Sequence, residues 1–129
     1  MKLNSFFRFG VVGAFGFCVD VSALYILMFF GLDYFSGRVI SFLLAVTFTW
    51  QLNRRFTFLI QNKFTLRQEA WRYFLASSFG GAINISIYSF VVLISNPLPF
   101  VPLIGVALGS IAGMCTNYFA AKNLVFQSK

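Results

Sequence analysis

The sequence predicts an all-α membrane protein of four transmembrane helices, built as two copies of one helical hairpin. Hydrophobic residues make up 59% of the chain and charged residues only 10%, which leaves too little polar surface to cover a soluble globule. The segment RFGVVGAFGFCVDVS, which opens at Arg8, returns 64 positions later as RYFLASSFGGAINIS, which opens at Arg72. Together these observations place a duplicated hairpin in a lipid bilayer.

The second copy of the hairpin shows its two spans most clearly. Residues 73–121 are 49 consecutive residues without a charge. A helix needs about 20 apolar residues to cross a bilayer. This segment therefore holds two spans, one on each side of the turn-forming NPLPF sequence at residues 96–100.

The first copy repeats this plan with more polar interruptions. Residues 9–30 form one span that contains Asp20, residues 31–38 form a short turn, and residues 39–53 form the second span. A cleavable signal peptide is the alternative interpretation of the first span. We expect a retained helix instead, because an apolar stretch of 22 residues that contains an aspartate is unlike a signal peptide, and the same pattern recurs in mid-chain.

The duplication predicts a single membrane domain over residues 1–129. Repeat 1 covers about 6–58, an interfacial linker about 59–71, and repeat 2 about 72–126. The first spans of the two repeats align at an offset of 64 positions and the second spans at an offset of 68. Each half therefore looks like one copy of the same helical hairpin.

The linker predicts a short interfacial helix. Residues 64–74 are amphipathic, and Thr65 with Gln68 three residues later is typical of a capping box. The charged residues of this segment would meet lipid headgroups; they are Arg67, Glu69 and Arg72. A plain solvated linker is the alternative.

Small residues recur at helical spacing in the second span of each repeat. Gly105, Gly109 and Gly113 form two overlapping GxxxG motifs, which allow helix backbones to approach closely in a membrane. The counterparts in the first repeat are also small: Gly37, Ser41 and Ala45. We therefore expect the second and fourth spans to be the inner, closely packed pair, and a dimer seam is the alternative use of the stripe.

The distribution of basic residues predicts the orientation, because Lys and Arg near span ends are retained in the cytoplasm. Arg38 alone falls on the outer side. All the others fall on one side: Lys2, Arg8, Arg54, Arg55, Lys63, Arg67, Arg72, Lys122 and Lys129. Both termini are expected in the cytoplasm. Since each repeat has two spans, the repeats run parallel, related by a pseudo-twofold axis along the membrane normal.

Polar residues inside spans are costly in a bilayer and usually have a function. Asp20 lies about 18 Å along the helix from Arg8, at 1.5 Å per residue, and Arg38 is its expected counter-ion. Asn84 is the counterpart of Asp20 in the second repeat, and Asn117 is a weaker signal of the same kind. The alternative role for Asp20 and Asn84 is to hold the helices together through a polar network.

Cations are expected to gather at the cytoplasmic headgroup level. Arg54 and Lys122 close the second spans at matching positions, and Arg8 and Arg72 open the first spans. Arginine grips phosphate oxygens in a bidentate way and lysine adds a point charge. This arrangement suits a phosphate group, although topology alone would also place basic residues there.

Several classes of function are excluded or disfavoured. The chain has no histidine and three acidic residues, so neither an enzyme with an acid and base pair nor a metal site is expected, and no cofactor is implied. There is no phosphate-binding loop for a nucleotide. The net charge of +7 is spread along span ends, so we do not expect a nucleic acid as partner.

Two closing segments carry a resemblance to a known family. The RFGVVG opening followed by Asp20, and the segments WQLNRRFTF and NYFAAKNLVF, are similar to the GtrA-like family of small four-span membrane proteins, over about residues 6–126. The chain departs from the family pattern in each repeat. The Asn before the aromatic is present at Asn117 but is Thr49 in the first copy, and the Asn-Arg pair at Asn53 becomes Ala121-Lys122 in the second.

The resemblance implies a role in cell-surface polysaccharide synthesis or modification. Members of this family commonly move a polyprenyl-phosphate-linked sugar from the inner to the outer leaflet of a bacterial inner membrane, and the resemblance implies the same activity here. By this analogy, the phosphate would be captured by Arg8, Arg54, Arg55, Arg72 and Lys122. The sugar would follow polar positions at Asp20, Asn53, Asn84 and Asn117.

Two other functions remain open at this point. A small-multidrug-type exporter would use Asp20 against cationic drugs, although the basic inner residues would repel a cation. An accessory subunit that anchors a membrane glycosyltransferase needs no transport. Because four helices leave little room to enclose a sugar, we also expect a homo-oligomer, most simply a dimer, in contact with membrane lipids.

Overall fold

The computed structural model describes residues 2–58 and 64–126, and these form four long helices. They are α1 Lys2–Phe29, α2 Tyr34–Leu52, α3 Leu66–Ile94 and α4 Val101–Ala120. Two π-helical turns, Asn53–Thr57 and Ala121–Phe126, extend α2 and α4. Each helix with its extension is long and apolar enough to cross a membrane, with mean hydropathy between 1.2 and 2.0 over its best window. The predicted all-α fold with four membrane-spanning helices is confirmed.

The closest packing lies within each hairpin, between α1 and α2 and between α3 and α4. The hairpins meet where α1 contacts α4 and α2 contacts α3. The four helices therefore surround a common centre. The expectation that α2 and α4 form the closely packed pair is wrong, because the small residues on these helices serve the hairpins.

The glycine stripe of α4 is the seam of the second hairpin. A Cβ added at Gly109 would lie 2.6 Å from the backbone oxygen of Asn84, and one added at Gly113 would lie 2.9 Å from that of Gly80. The matching stripe of α2 faces α1, since a Cβ at Gly37 would meet a Leu24 methyl at 3.3 Å. Small residues at this spacing thus let the two arms of a hairpin approach within the chain.

Both repeats point in the same direction. Arg8 near the start of α1 donates to the backbone oxygen of Phe56 at 3.3 Å. Its counterpart Arg72, near the start of α3, donates to the backbone oxygen of Leu124 at 3.1 Å. The starts of α1 and α3 therefore lie beside the ends of α2 and α4, and we call this side of the molecule the basic end. The five cations predicted to bind phosphate lie at this end: Arg8, Arg54, Arg55, Arg72 and Lys122.

An aromatic cluster joins the two repeats at the basic end. Phe58 and Phe126 occupy equivalent positions, 68 apart, and their rings stack with centroids 4.7 Å apart. Tyr73 and Tyr118 pack on this pair. The pseudo-twofold axis therefore passes close to the two stacked rings, which explains why each closing segment ends in an aromatic residue.

The turn between α1 and α2 is shorter than predicted. The amide nitrogens of Gly31 and Leu32 donate to the carbonyls of Met28 and Leu27 at 3.0 and 3.1 Å, which is a Schellman ending that requires the positive φ of Gly31, 101°. Asp33 then caps α2 by accepting from the amides of Phe35 and Ser36. Hydrogen bonds from the side chain and the amide of Ser36 lower the pKa of Asp33. Since α2 already begins at Tyr34, Arg38 lies within the helix.

The predicted interfacial helix is the first part of α3. The capping box is confirmed, because Thr65 accepts from the amide of Gln68 and the Gln68 side chain accepts from the amide of Thr65. The helix then continues to Ile94 without a break. The expectation of a separate short helix is wrong, since no proline or turn interrupts the segment. Residues 59–63 of the linker lie outside the described residues.

Candidate functional site: a polar cleft between the hairpins

A cleft of about 380 Å³ lies at the centre of the bundle and is lined by all four helices. Its size falls within the range of small-ligand sites. The predicted polar residues Asp20, Asn53, Asn84 and Asn117 all line it. The structure thus brings together four side chains that lie far apart in the sequence.

The part of the cleft farther from the basic end is built around Arg38, which is fully buried. Its Nη1 lies 2.6 Å from Asp20 Oδ1, so the expected counter-ion pair is confirmed. Nη1 also donates to Ser41 Oγ at 3.2 Å, and Nη2 donates to Asn84 Oδ1. Asn84 in turn donates to Ser110 Oγ at 3.1 Å. This network ties α1, α2, α3 and α4 together through one guanidinium group.

The repeat explains this arrangement. Asp20 and Asn84 are counterparts in the two repeats, and Arg38 binds both of them. The counterpart of Arg38 is Val106, which is fully buried. The Arg38 guanidinium donates to both Asp20 and Asn84, so the second repeat needs no cation of its own.

The part of the cleft nearer the basic end contains a second hydrogen-bond network, around Asn53. The Asn53 Nδ2 donates to Tyr73 Oη at 2.9 Å, and Thr57 Oγ1 donates to Asn53 Oδ1 at 2.7 Å. Tyr73 Oη donates to Thr49 Oγ1 at 3.3 Å. Asn53 is 1% exposed. This network joins the end of α2 to the start of α3 across the hairpin boundary.

Asn117 is the counterpart of Thr49 and packs on the equivalent glycine, Gly80 in place of Gly16, but its hydrogen bonding differs. Its carboxamide packs on Gly80, where a Cβ would come within 2.0 Å of Oδ1. Among the described residues, that buried oxygen has no hydrogen-bond partner. Asn117 therefore brings an unsatisfied acceptor to the wall of the cleft.

Two glycines keep one wall of the cleft open. Gly10 and Gly13 of α1 line it, and a Cβ added at either position would meet no atom within 4 Å. By contrast, Gly16 on the same helix is packed against Thr49, 2.3 Å from its added Cβ. Gly10 and Gly13 thus leave space that a larger side chain would fill.

The cations of the basic end divide into different environments. Arg8 and Arg55 line one groove between α1 and the end of α2. Arg72 lies over the ring of Phe64, with Cζ 4.2 Å from its centroid. Lys122 Nζ lies 5.9 Å from the centroid of the Tyr118 ring.

Arg54 is neutralised within the protein. Its Nε lies 2.9 Å from Glu69 Oε1, and Trp50 Nε1 donates to the same oxygen at 3.1 Å. Glu69 is only 5% exposed. The expectation that Glu69 meets lipid headgroups is wrong, because the docking of α3 on the end of α2 encloses it. In the sequence, Glu69 stands out only as an acidic residue of the linker. That position does not reveal a contact with repeat 1.

Neither a metal site nor a disulfide occurs in the part of the chain that the structure describes. No group of three His, Cys, Asp or Glu side chains in residues 2–58 and 64–126 could hold a metal ion. Cys18 and Cys115 are free and exposed on the bundle surface.

No curated protein and no solved structure shows significant similarity to the chain. Residues 8–129 match the family described as GtrA/DPMS, transmembrane domain, and this range includes both hairpins and the linker. The chain therefore belongs to the GtrA/DPMS transmembrane-domain family, which places it among membrane proteins of polyprenyl-phosphate-sugar related processes.

Proposed function

We propose that the protein moves a polyprenyl-phosphate-linked monosaccharide from the inner to the outer leaflet of a bacterial inner membrane. The observation that carries this proposal is the cleft, which presents polar side chains at the centre of an apolar bundle. A sugar loses its hydrogen bonds to water when it enters a bilayer, and each unpaired polar group costs free energy. Polar groups along the cleft would replace some of these bonds.

The outer surface of the bundle suits the lipid part of this substrate. Large apolar side chains are exposed on every helix, for example Phe29, Leu44, Phe79 and Ile111. A polyprenyl tail could remain in the membrane against this surface while the sugar enters the cleft. The tail would then need no enclosed path through the protein.

The basic end suits the phosphate. Five cations lie at the side that the positive-inside rule leads us to expect in the cytoplasm: Arg8, Arg54, Arg55, Arg72 and Lys122. Among the described residues, Arg54 is the one of these five that pairs with a carboxylate. Arg8, Arg55, Arg72 and Lys122 are therefore the stronger candidates for contact with a phosphodiester.

The alternative of a drug exporter loses its main support. Such a protein needs an ionisable acid that is free to bind a cation. Within the described spans, Asp20 is paired with Arg38 and Glu69 with Arg54. We therefore keep lipid translocation as the proposal.

The decisive experiment is reconstitution into liposomes, followed by measuring whether a polyprenyl-phosphate sugar placed in one leaflet becomes accessible from the other. Gly13→Leu would project into open space in the cleft, so we expect it to abolish movement of the lipid without disturbing the fold. Ala112→Leu is the matched control, because Ala112 lies on the exposed face of α4 outside the cleft. We expect this control to transport normally.

The outcomes separate the remaining functions. Transport that survives Gly13→Leu would exclude the cleft as the path. A folded wild-type protein that gives no transport above empty liposomes would contradict the proposal and favour an accessory subunit of a glycosyltransferase. That role predicts copurification with the enzyme in detergent.

A further inference from the structure

We propose that the groove between α1 and the end of α2 binds the phosphate of one polyprenyl lipid through Arg8 and Arg55, and that the second repeat has no equal site. This inference rests on the proposed function. It identifies the groove that binds the lipid phosphate and the number of lipid molecules that each chain binds.

The groove combines two cations with an apolar wall. Arg8 and Arg55 line it together with Phe7, Val11, Phe15 and Phe56. Arg8 is held across the groove by its hydrogen bond to the backbone oxygen of Phe56. This bond uses one of its five N–H groups, so the others remain available to a ligand.

The two cations have no charge partner in the described part of the chain. The ion pairs there are Asp20 with Arg38 and Glu69 with Arg54. The third acid, Asp33, caps the start of α2, at the opposite end of that helix from Arg55. Two unpaired guanidinium groups on one groove attract a phosphate strongly, because each can donate two parallel hydrogen bonds to its oxygens.

The apolar wall indicates that the phosphate carries a long tail. Val11 and Phe15 lie one helical turn apart on α1, so they continue from Arg8 into the span along the same face. Both are exposed, Phe15 to 56%. A free phosphate would gain nothing from this wall. A phosphate with a single hydrocarbon chain would cover it, and the polyprenyl phosphates of the proposed function have that form.

The second repeat repeats only half of this site. Arg72 is the counterpart of Arg8 and makes the equivalent bond to Leu124. The counterpart of Arg55 is Asn123, so the second cation is missing. In addition, the ring of Phe64 covers the Arg72 guanidinium. We therefore expect one lipid phosphate for each chain, held by the first repeat.

The test measures lipid binding in nanodiscs by native mass spectrometry, with a long-chain polyprenyl monophosphate as the probe and phosphatidylglycerol as the comparison lipid. Arg55 has no hydrogen bond or ion pair among the described residues, so Arg55→Gln should leave the fold intact. We expect it to weaken binding of the polyprenyl phosphate about 10- to 100-fold, the effect of losing charge-assisted hydrogen bonds. The control variant Arg67→Gln should change binding less than about twofold, because Arg67 is exposed and does not line the groove. Arg72→Gln should weaken binding less than Arg55→Gln does, because it lies in the repeat without a paired cation.

A second variant tests the count. Asn123→Arg restores the missing cation in the second repeat, and we expect the number of bound polyprenyl phosphates to rise from one to two per chain. Equal losses in Arg55→Gln and Arg72→Gln would overturn the inference. It would also be overturned if Arg55→Gln reduced phosphatidylglycerol binding as strongly as polyprenyl phosphate binding, since the groove would then be a general headgroup contact.

The proposed site and the proposed function can be disproved independently of each other. If the wild-type protein binds one polyprenyl phosphate through Arg55 but moves no lipid across liposomes, the proposed function is wrong and the site stands. If Arg55→Gln transports as well as the wild type at limiting lipid, the site is wrong and the function stands.

Discussion

Arg38 is the residue on which the interior of this bundle depends most. It is fully buried and binds Asp20, Ser41 and Asn84 at once. Removing one partner of a buried ion pair leaves an uncompensated charge, which typically costs about 3–5 kcal/mol. We expect Asp20→Ala to lower the free energy of unfolding by this amount, measured by chemical denaturation in detergent.

The control for this prediction replaces both charges. The double variant Asp20→Leu, Arg38→Leu should recover most of the lost stability, because buried ion pairs are often replaceable by apolar residues and Val106 already occupies the position equivalent to Arg38. A single Asp20→Ala variant as stable as the wild type would show that the pair does not hold the helices together.

Asn117 should behave in the opposite way. Its Oδ1 has no partner among the described residues, so the folded protein gains no hydrogen bond from it, and a ligand hydroxyl could supply one. We expect Asn117→Ala to reduce lipid transport about tenfold, the loss of one hydrogen bond to an otherwise unpaired group, with thermal stability nearly unchanged. Unaltered transport in this variant would remove Asn117 from the path.

At this scale, the sequence predicted what a charge in a membrane requires. Asp20 inside a span needs a partner, and Arg38, at the end of the predicted turn that follows this span, was the expected counter-ion. It did not predict that Arg38 also binds Asn84, because that contact depends on how the two hairpins meet. Glu69 was misplaced for the same reason, since Trp50 and Arg54 reach it from the other repeat.

Among the helices, α3 and α4 depend on a close backbone approach. A Cβ at Gly109 would lie 2.6 Å from the backbone oxygen of Asn84, and backbone atoms cannot move aside easily. We expect Gly109→Ala to destabilise the second hairpin by about 1–3 kcal/mol, as overpacking does elsewhere. The measurement is the unfolding free energy in mixed detergent.

The matched control is Gly10→Ala. A Cβ at this position meets nothing within 4 Å, and alanine favours a helix over glycine by about 1 kcal/mol. This variant should therefore be as stable as the wild type or more stable. A smaller loss at Gly109 than at Gly10 would contradict the assignment of the seam.

The number of helices could be predicted because hydropathy and length decide it, but the helix boundaries could not. The start of α2 depends on the cap at Asp33 and on the glycine ending of α1, which bring Arg38 into the span. The start of α3 was predicted from Thr65 and Gln68, but its continuation without a break to Ile94 was not. The sequence did not predict that the glycine stripe of α4 packs on α3, because a stripe of small residues does not indicate which helix it faces.

The whole molecule has two parallel repeats, and this leads to a prediction about topology. Reporter fusions at the end of the chain and within the linker at residue 61 should both report a cytoplasmic location, because the positive-inside rule assigns nine of the ten basic residues to that side. A fusion in the turn at residue 97 should report the opposite side. The same location for residues 61 and 97 would contradict the second hairpin.

The driving force is also a property of the whole molecule. Among the described residues, both buried carboxylates, Asp20 and Glu69, are paired with an arginine. A phosphodiester carries one negative charge, and an inside-negative potential favours its outward movement by about 2.3 kcal/mol per 100 mV, which corresponds to about 50-fold in the distribution between leaflets. We therefore expect a potassium diffusion potential across liposomes to bias the lipid outward by up to this factor, with symmetric potassium as the control.

A pH gradient without a potential should have no effect on the distribution of the lipid. If the pH gradient alone drives accumulation, and Asp20→Asn abolishes that response, the pair with Arg38 must open during transport and Asp20 must carry the proton.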